Sequence, residues 1–349
     1  MRVRPFYQVC ARENGKIYRA LSSPINLNIL VTTQCNCTCV HCCANASNQA
    51  QFLSKDGVTR IIQQAEKNKI FYFVLTGGEP LMYKHIWYLM DNLLGRFGII
   101  MNTNGTLVNR RYARKLASYN LASVHVSLDA ADQTIYRKQR GSGTSLAQVC
   151  HGIQMMIDEG IPVTTKTVIT NLNKESLNDI VNLSIRLGVK RMNFAWFKPM
   201  GRGLQNYDKL NIQPDTAREI AKNLYILKKR KDIQISIDES QFFPFLLHKT
   251  DLVKYRKLCG DYFLRIDYNG DVFPCPFLDT KLGNIFRTEL STIWRSQVLA
   301  ALRQASLTVD KDCISCEERS LCIGGCRARS IYVNNHVSGK DPICWGKND

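Results

Sequence analysis

No stretch of eighteen or more apolar residues occurs in the 349-residue chain, which excludes a membrane-spanning helix by length. The N-terminus, Met1-Arg-Val-Arg-Pro-Phe-Tyr7, has basic residues but lacks the apolar run of a secretory signal. The expected compartment is therefore the cytoplasm, where thiols stay reduced. Acidic residues are scarce, 29 against 47 lysines and arginines, giving a formal net charge of +18. That balance favours an acidic partner. The basic residues are scattered, however, with only short runs such as Lys228-Lys-Arg-Lys231. A solvated basic surface explains them better than a nucleic-acid groove. Internal repeats and low-complexity linkers are also missing, and a 45% hydrophobic content suffices for a full core. One large and one small unit are expected.

Cysteine, in contrast, is plentiful. Fourteen in a reduced compartment point to metal or catalysis and not to disulfides. The first block, Cys35-Asn-Cys-Thr-Cys39-Val-His-Cys42, follows a strand-like run, Leu27 to Val31. Its C-x-x-x-C-x-x-C spacing offers three thiolates from one short loop. A [4Fe–4S] cubane normally takes four cysteines, so three leave one iron open to bind something else. The second block holds Cys259, Cys275, Cys313, Cys316, Cys322, Cys326 and Cys344. Ten thiolates and three cubane cores would reduce the net charge to roughly +14, still basic. The rival reading is a zinc site that pairs Cys39 and Cys42 with Cys313 and Cys316. It leaves the strand context of the first block unused. Cys37 and Cys43 fall outside the spacing and read as spectators. Cys10 and Cys150 read as ordinary thiols, Cys150 on a buried helix face.

From residue 27 to about 237, short β-branched runs alternate with longer amphipathic stretches. Strands are predicted at Leu27–Thr32, Ile70–Leu75, Ile99–Asn102, Ser123–Leu128, Val163–Ile169 and Arg191–Trp196. Helices are predicted at Lys55–Lys69, His85–Leu94, Arg110–Ser118, Ser145–Glu159 and Lys174–Leu187, and a closing pair at Pro214–Arg230 and Ile233–Ile237. Repeated strand–helix units imply a parallel sheet with right-handed crossovers. Six are too few for a closed eight-fold barrel, so the expected fold is α/β, a partial (β/α)6 TIM-like barrel. Unusual residues cluster just after the strands: Cys35–Cys42, Thr76-Gly-Gly-Glu-Pro80, Asn102-Thr-Asn104-Gly, Ser127-Leu-Asp129, Asn171 and Lys198-Pro-Met-Gly-Arg-Gly203. In barrel-type folds that end carries the active site.

These features together resemble the radical S-adenosylmethionine (SAM) superfamily, over nearly the whole chain beyond residue 25. The resemblance implies that Cys35, Cys39 and Cys42 hold a [4Fe–4S] cluster whose open iron is chelated by SAM. One electron then cleaves SAM to methionine and a 5′-deoxyadenosyl radical, which removes a substrate hydrogen. Thr76, Gly77, Gly78 and Glu79 would allow close backbone approach and pair a carboxylate with the SAM ammonium. Asn104 and Ser127 would serve the ribose or the methionine carboxylate, Arg140 would clamp that carboxylate, and His41 would lie against the adenine. The seven later cysteines resemble the SPASM domain, which carries two auxiliary clusters. By that resemblance Cys313, Cys316, Cys322 and Cys344 hold the distal cluster completely, and Cys259, Cys275 and Cys326 the nearer one. Some members supply a fourth cysteine shortly upstream, but Val253-Lys-Tyr-Arg-Lys-Leu258 has none. The expected division is an N-terminal extension (1–26), a barrel (27–240) and a SPASM domain (241–349).

Three clusters and SAM are thus the implied cofactors, and a flavodoxin or ferredoxin the implied reductant. The best-populated activity of similar enzymes is crosslinking, oxidation or epimerisation of a ribosomally made peptide. About twenty-six residues before the first barrel strand are too few for a leader-binding module of some eighty residues. Under that reading leader recognition is expected to come from a separate partner protein or from the basic surface. Oxidation or decarboxylation of an acidic small molecule or tetrapyrrole is an alternative. Segments such as Gly324-Gly-Cys326-Arg-Ala-Arg329 fit it, although arginines bracing the clusters would explain them equally. Formylglycine formation in sulfatases is disfavoured, because Pro276 stands where those enzymes carry an aspartate. A non-catalytic iron–sulfur protein is opposed by the intact SAM-binding constellation.

Overall fold

The alternation of β-branched runs with amphipathic stretches decides the architecture. The computed structural model describes residues 7–13, 16–238, 259–317, 319–322 and 324–346. Seven strands lie side by side in chain order and all parallel. They are β3 (Asn26–Leu30), β4 (Tyr72–Thr76), β5 (Gly98–Thr103), β6 (Ser123–Ser127), β7 (Val163–Ile169), β8 (Arg191–Trp196) and β9 (Gln234–Ile237). Between them run α1 (Lys55–Lys67), α2 (Ile86–Leu93), α3 (Arg110–Ala117), α4 (Gln133–Arg140), α5 (Leu146–Asp158) and α6 (Leu177–Arg186). The short α7 (Arg202–Gln205) and α8 (Tyr207–Leu210) precede the last crossover helix, α9 (Pro214–Leu227). This is the expected partial-barrel order. Ahead of it, β1 (Tyr7–Glu13) and β2 (Lys16–Leu21) form an antiparallel hairpin within the segment read as an extension.

Local chemistry explains the helices. The Ser54 hydroxyl caps α1 by accepting from the Gly57 amide at 3.0 Å. Asp56 and Lys67 stand at the ends where the helix dipole favours them. Val58, Ile61, Ile62 and Ala65 then fall on one stripe, and all four are buried against the sheet. Ser145 and Gln148 start α5 with a reciprocal capping box. The sheet contributes Leu27, Ile29, Phe73, Leu75, Met101 and Val126, each at most 1% exposed. Each such side chain stabilises the fold by about 1.5–3 kcal/mol relative to leaving it in water.

The cysteine-rich segment is not a separate bead. Its first strand, β10 (Phe263–Ile266), runs parallel to β3, with Leu264 opposite Leu27 and Ile266 opposite Ile29. β11 (Asp271–Phe273) and β12 (Gly283–Asn284) continue the sheet antiparallel, so ten strands form one sheet in the order β12-β11-β10-β3-β4-β5-β6-β7-β8-β9. Glu289 adds a second tie. Its carboxylate accepts from Lys67 Nζ, Arg60 Nη2 and Gln64 Nε2 of α1 at 2.6, 2.9 and 3.0 Å. Hydrogen bonds from Lys67 and Arg60 hold its acid down at about 2. No helix among the described residues is long and apolar enough to cross a membrane.

Candidate cofactor site

The first cysteine loop leaves β3 and is pinned by the loops of its neighbours. Gly78 N and Glu79 N donate to the Thr32 and Gln34 carbonyls at 2.7 and 2.8 Å, so the Gly-Gly-Glu segment zips onto the start of the loop. A Cβ at Gly78 would lie 2.1 Å from the Gln34 oxygen, which is why no larger residue fits. Thr38 N and Val40 N donate to the Arg140 and Gln139 carbonyls at the end of α4. From α7, Arg202 Nε donates to the Cys39 carbonyl at 3.0 Å and Nη1 to the Ala46 carbonyl. Three separate segments of the barrel thus converge on one loop. Gly78→Ala is expected to push the loop off this seat, destabilising the fold by about 1–3 kcal/mol through overpacking. Iron bound per chain, measured with the thermal midpoint, checks it.

The predicted residues sit at this mouth, several in tasks internal to the protein. Thr76 ends β4, its carbonyl accepting from Val31 N. Glu79 is fully buried, and its carboxylate accepts from Thr103 Oγ1, Asn104 N and Leu81 N at 2.7, 2.7 and 3.1 Å. Burial raises its pKa, and these hydrogen bonds partly offset the rise. Asn104 donates to Asn36 Oδ1 at 2.8 Å and toward Cys35 Sγ at 3.9 Å, tying β5 to the cysteine loop. Ser127 is half-buried at the end of β6, opposite Lys166. Arg140 makes a buried pair with Asp129, Nε and Nη2 lying 2.6 and 2.5 Å from Oδ2, while Nη1 donates to Cys39 Sγ at 3.6 Å. Burial opposes the Arg140 charge, but Asp129 and the thiols around it more than offset that. His41 packs against the same aspartate, Nε2 to Oδ2 3.5 Å, and burial lowers it to about 4, so its ring is neutral.

Asp129 was legible only as a strand-end polar residue, yet it organises the site. Oδ1 accepts from Val168 N at 2.8 Å, and its carbonyl accepts from Asn173 Nδ2 at 2.9 Å, so it joins β6, β7 and α4. Its signal in the sequence was an acid closing an apolar run. Arg202 had none beyond its glycine-flanked segment.

The donor set suits a cluster. Cys35, Cys39 and Cys42 are free thiols on one loop. Cys35 is lowered by hydrogen bonds from Cys37, against burial, whereas Cys39 is raised by its hydrogen bond with Cys37 and by burial, which the Arg140 guanidinium partly offsets. Two buried nitrogens at the loop, His41 Nδ1 and Arg202 Nη2, lack protein partners, as polar groups lining a cofactor site do. The later cysteines fall into two neighbourhoods. Cys259 is hydrogen-bonded with Cys275 and close to Cys326. Cys313 and Cys316 lie near Cys344, which also neighbours Cys322. Asp341 stands between the neighbourhoods. It accepts from Cys326 N at 2.6 Å and pairs with the buried Arg329 at 2.7 Å, and its carbonyl accepts from Cys344 N. Among the described residues, no three His, Cys, Asp or Glu side chains close to single-ion distance. That does not suit the zinc alternative; a cubane spreads its thiolates over its corners.

A cavity of about 340 Å³ opens on the inner wall of the barrel, nearer the starts of β7–β9. His125, Lys166, Arg191, Asn193 and Asp238 line it. His125 Nδ1 lies 3.1 Å from Asn102 Oδ1, and burial, with Lys166 and Arg191 nearby, lowers it to about 4.

Residues 29–184 match the radical SAM superfamily, and residues 259–317 match the SPASM iron–sulfur cluster-binding domain. The chain is 29% identical to the mycofactocin maturase MftC of Mycolicibacterium smegmatis, over 94% of this chain and 85% of that protein. It is 26% identical to the AdoMet-dependent heme synthase of Nitratidesulfovibrio vulgaris, over 90% of each. The fold is shared with Streptococcus suis SuiB. SuiB bound to S-adenosylmethionine superposes with a TM-score of 0.76 at 20% identity, over 93% of this chain and 78% of that one. Bound to precursor peptide SuiA, it gives 0.75 at 21%, over 93% and 77%.

Proposed function

Because the chain is a radical SAM enzyme with a SPASM iron–sulfur domain, we propose that it installs a crosslink, another oxidative change or an epimerised centre in a ribosomally made peptide. The observation that carries this is the near-full-length likeness to a maturase. A fold shared with a protein solved on a precursor peptide supports it. In this reading Cys35, Cys39 and Cys42 hold the SAM cluster, Cys313, Cys316, Cys322 and Cys344 the distal auxiliary cluster, and Cys259, Cys275 and Cys326 the nearer one. When bound, cluster and SAM supply a radical that takes a hydrogen atom from the substrate. The chain's own residues orient and enclose. Arg140 donates to the Cys39 sulfur and so favours its thiolate. Asp129 fixes Arg140, and Glu79 fixes the Asn104 turn. The basic inner wall at Lys166 and Arg191 suits a peptide segment bearing carboxylates. A flavodoxin or ferredoxin delivers the electron, and a separate protein or the basic surface holds the leader.

Tetrapyrrole oxidation is the second reading, favoured by the likeness to a heme synthase. Formylglycine formation stays disfavoured. Pro276 replaces the aspartate, and its carbonyl is occupied by Arg265 Nη1 at 2.9 Å. The reconstituted enzyme, SAM and dithionite are to be incubated with short peptides encoded beside the gene. Loss of two hydrogens, or inversion without mass change, is the expected result. Peptides left unaltered while a porphyrin changes its absorbance would transfer the assignment to the second reading.

A further inference from the structure

The nearer auxiliary set is one thiolate short of a full complement. Cys259, Cys275 and Cys326 gather in one neighbourhood, and the upstream segment 253–258, which lies outside the described residues, contains no cysteine. A cubane takes four ligands. The missing one need not come from the same part of the chain, because β10 lies directly against β3. The loop that leaves β3 therefore rises beside the turn that joins β10 to β11, and the Cys275 segment, which follows the antiparallel β11, is tied back to β10 through Arg265.

Arg265 shows how close they come. It pairs with Asn28 across the β10–β3 ladder. Its Nη1 donates to the carbonyl of Pro276, the residue after Cys275. Cys43, the residue after the third cysteine of the first loop, has both Arg265 and Cys275 as electrostatic neighbours. Its backbone is held in place from the other side. Gly201, at φ +57°, turns the chain so tightly that a Cβ there would lie 2.7 Å from the Cys42 carbonyl and 2.8 Å from the Cys43 carbonyl. Among the described side chains, the other cysteines outside the two motifs do not compete. Cys37 is hydrogen-bonded between Cys35 and Cys39, 3.6 Å from Thr144 Oγ1. Cys150 is on α5 near Arg186. The side chain of Cys10 lies outside the described residues.

We propose that Cys43 is the fourth ligand of the nearer auxiliary cluster, supplied across the β3–β10 seam by the loop that also carries the SAM cluster. Cys43 binds as thiolate and releases its proton to solvent. Arg265 beside Cys43 and Arg327 beside Cys259 offset the negative charge of a fully thiolate-ligated cluster. With all four irons held by cysteine, that cluster passes electrons and does not bind substrate. The inference rests on the three-cluster reading above.

The full-length protein is to be reconstituted anaerobically with iron and sulfide and saturated with SAM, which covers the open iron of the first cluster. Mild ferricyanide oxidation followed by electron paramagnetic resonance then reports any other open iron, because such a cluster loses it and becomes [3Fe–4S]⁺. The unsubstituted protein and the Cys37→Ala control are expected to stay silent, and Cys43→Ala to give about one spin per chain. A signal already present without substitution, or silence in Cys43→Ala at full iron loading, overturns the proposal. If Cys43→Ala loads poorly, Cys43→Ser replaces sulfur by oxygen at the same place. One distinct iron of the nearer cluster is then expected in the ⁵⁷Fe Mössbauer spectrum, and an unchanged spectrum overturns the proposal. A protein that takes up no clusters sinks the functional reading as well. Three loaded clusters indifferent to Cys43 sink only this inference.

Discussion

Cys42→Ala is expected to abolish formation of 5′-deoxyadenosine from SAM under dithionite. On the proposed three-cluster reading, iron per chain should fall from about twelve to about eight. In the proposed reading Cys37 and Cys43 of the same loop do not bind this cluster, so the two remaining ligands cannot hold it for SAM to chelate. Changing a residue that merely orients a metal ligand costs about 10–100-fold, and removing the ligand must exceed that. Cys316→Ala separates the two halves of the chemistry. It belongs to the neighbourhood of Cys313 and Cys344 and not to the first motif, so deoxyadenosine formation should persist while product formation stops. Chromatography of deoxyadenosine and mass spectrometry of the product measure both. Deoxyadenosine at the unsubstituted rate in Cys42→Ala would remove the basis of the whole assignment.

Asp129→Ala carries the next largest effect, and it acts through the fold. Asp129 is fully buried and Arg140 nearly so, and removing the acid leaves a buried guanidinium without its counter-charge. Breaking such a pair costs about 3–5 kcal/mol. The loss should appear in hydrogen exchange of β6 and β7 amides, because Asp129 also receives Val168 N. Adding Arg140→Met to Asp129→Leu replaces both charges by apolar groups and should recover most of that protection. It does not restore the hydrogen bond to Cys39. The double variant should therefore fold well yet show a shifted reduction potential for the SAM cluster. Protection equal to the unsubstituted protein in Asp129→Ala would show that Arg140 finds another partner.

Much of the barrel was legible because its strands are β-branched and its crossover helices carry apolar stripes. Val163–Ile169 and Arg191–Trp196 have the predicted bounds, and the other barrel strands differ by a residue or two. Helix α4 was missed for a physical reason. Its sequence, Gln-Thr-Ile-Tyr-Arg-Lys-Gln-Arg, has almost no apolar periodicity, since the face it buries is Tyr136, Gln139 and Arg140. Polar burial of that kind pairs with partners far along the chain, which periodicity cannot reveal. Glu79 and Arg140 were expected to reach toward SAM. What the sequence could not convey is that their charges are already engaged by Thr103, Asn104 and Asp129. The β10–β3 pairing was equally hidden: β10 is four residues long, includes Arg265, and has its partner at the far end of the chain. Cys150, expected on a buried face, is half-buried.

The seam between β3 and β10 also sets a timetable for biosynthesis. β3 is the first strand of the large sheet to leave the ribosome, and the strand that covers its outer edge is among the last. At roughly 5–20 residues per second, the interval is on the order of 10–50 s. Throughout it the nascent chain presents an unpaired, apolar strand edge, the kind of surface on which chains aggregate. A fragment ending before residue 263 would keep that edge permanently. Soluble production of the barrel alone is therefore a poor starting point, and conditions that slow association of nascent chains should raise the yield of the whole protein.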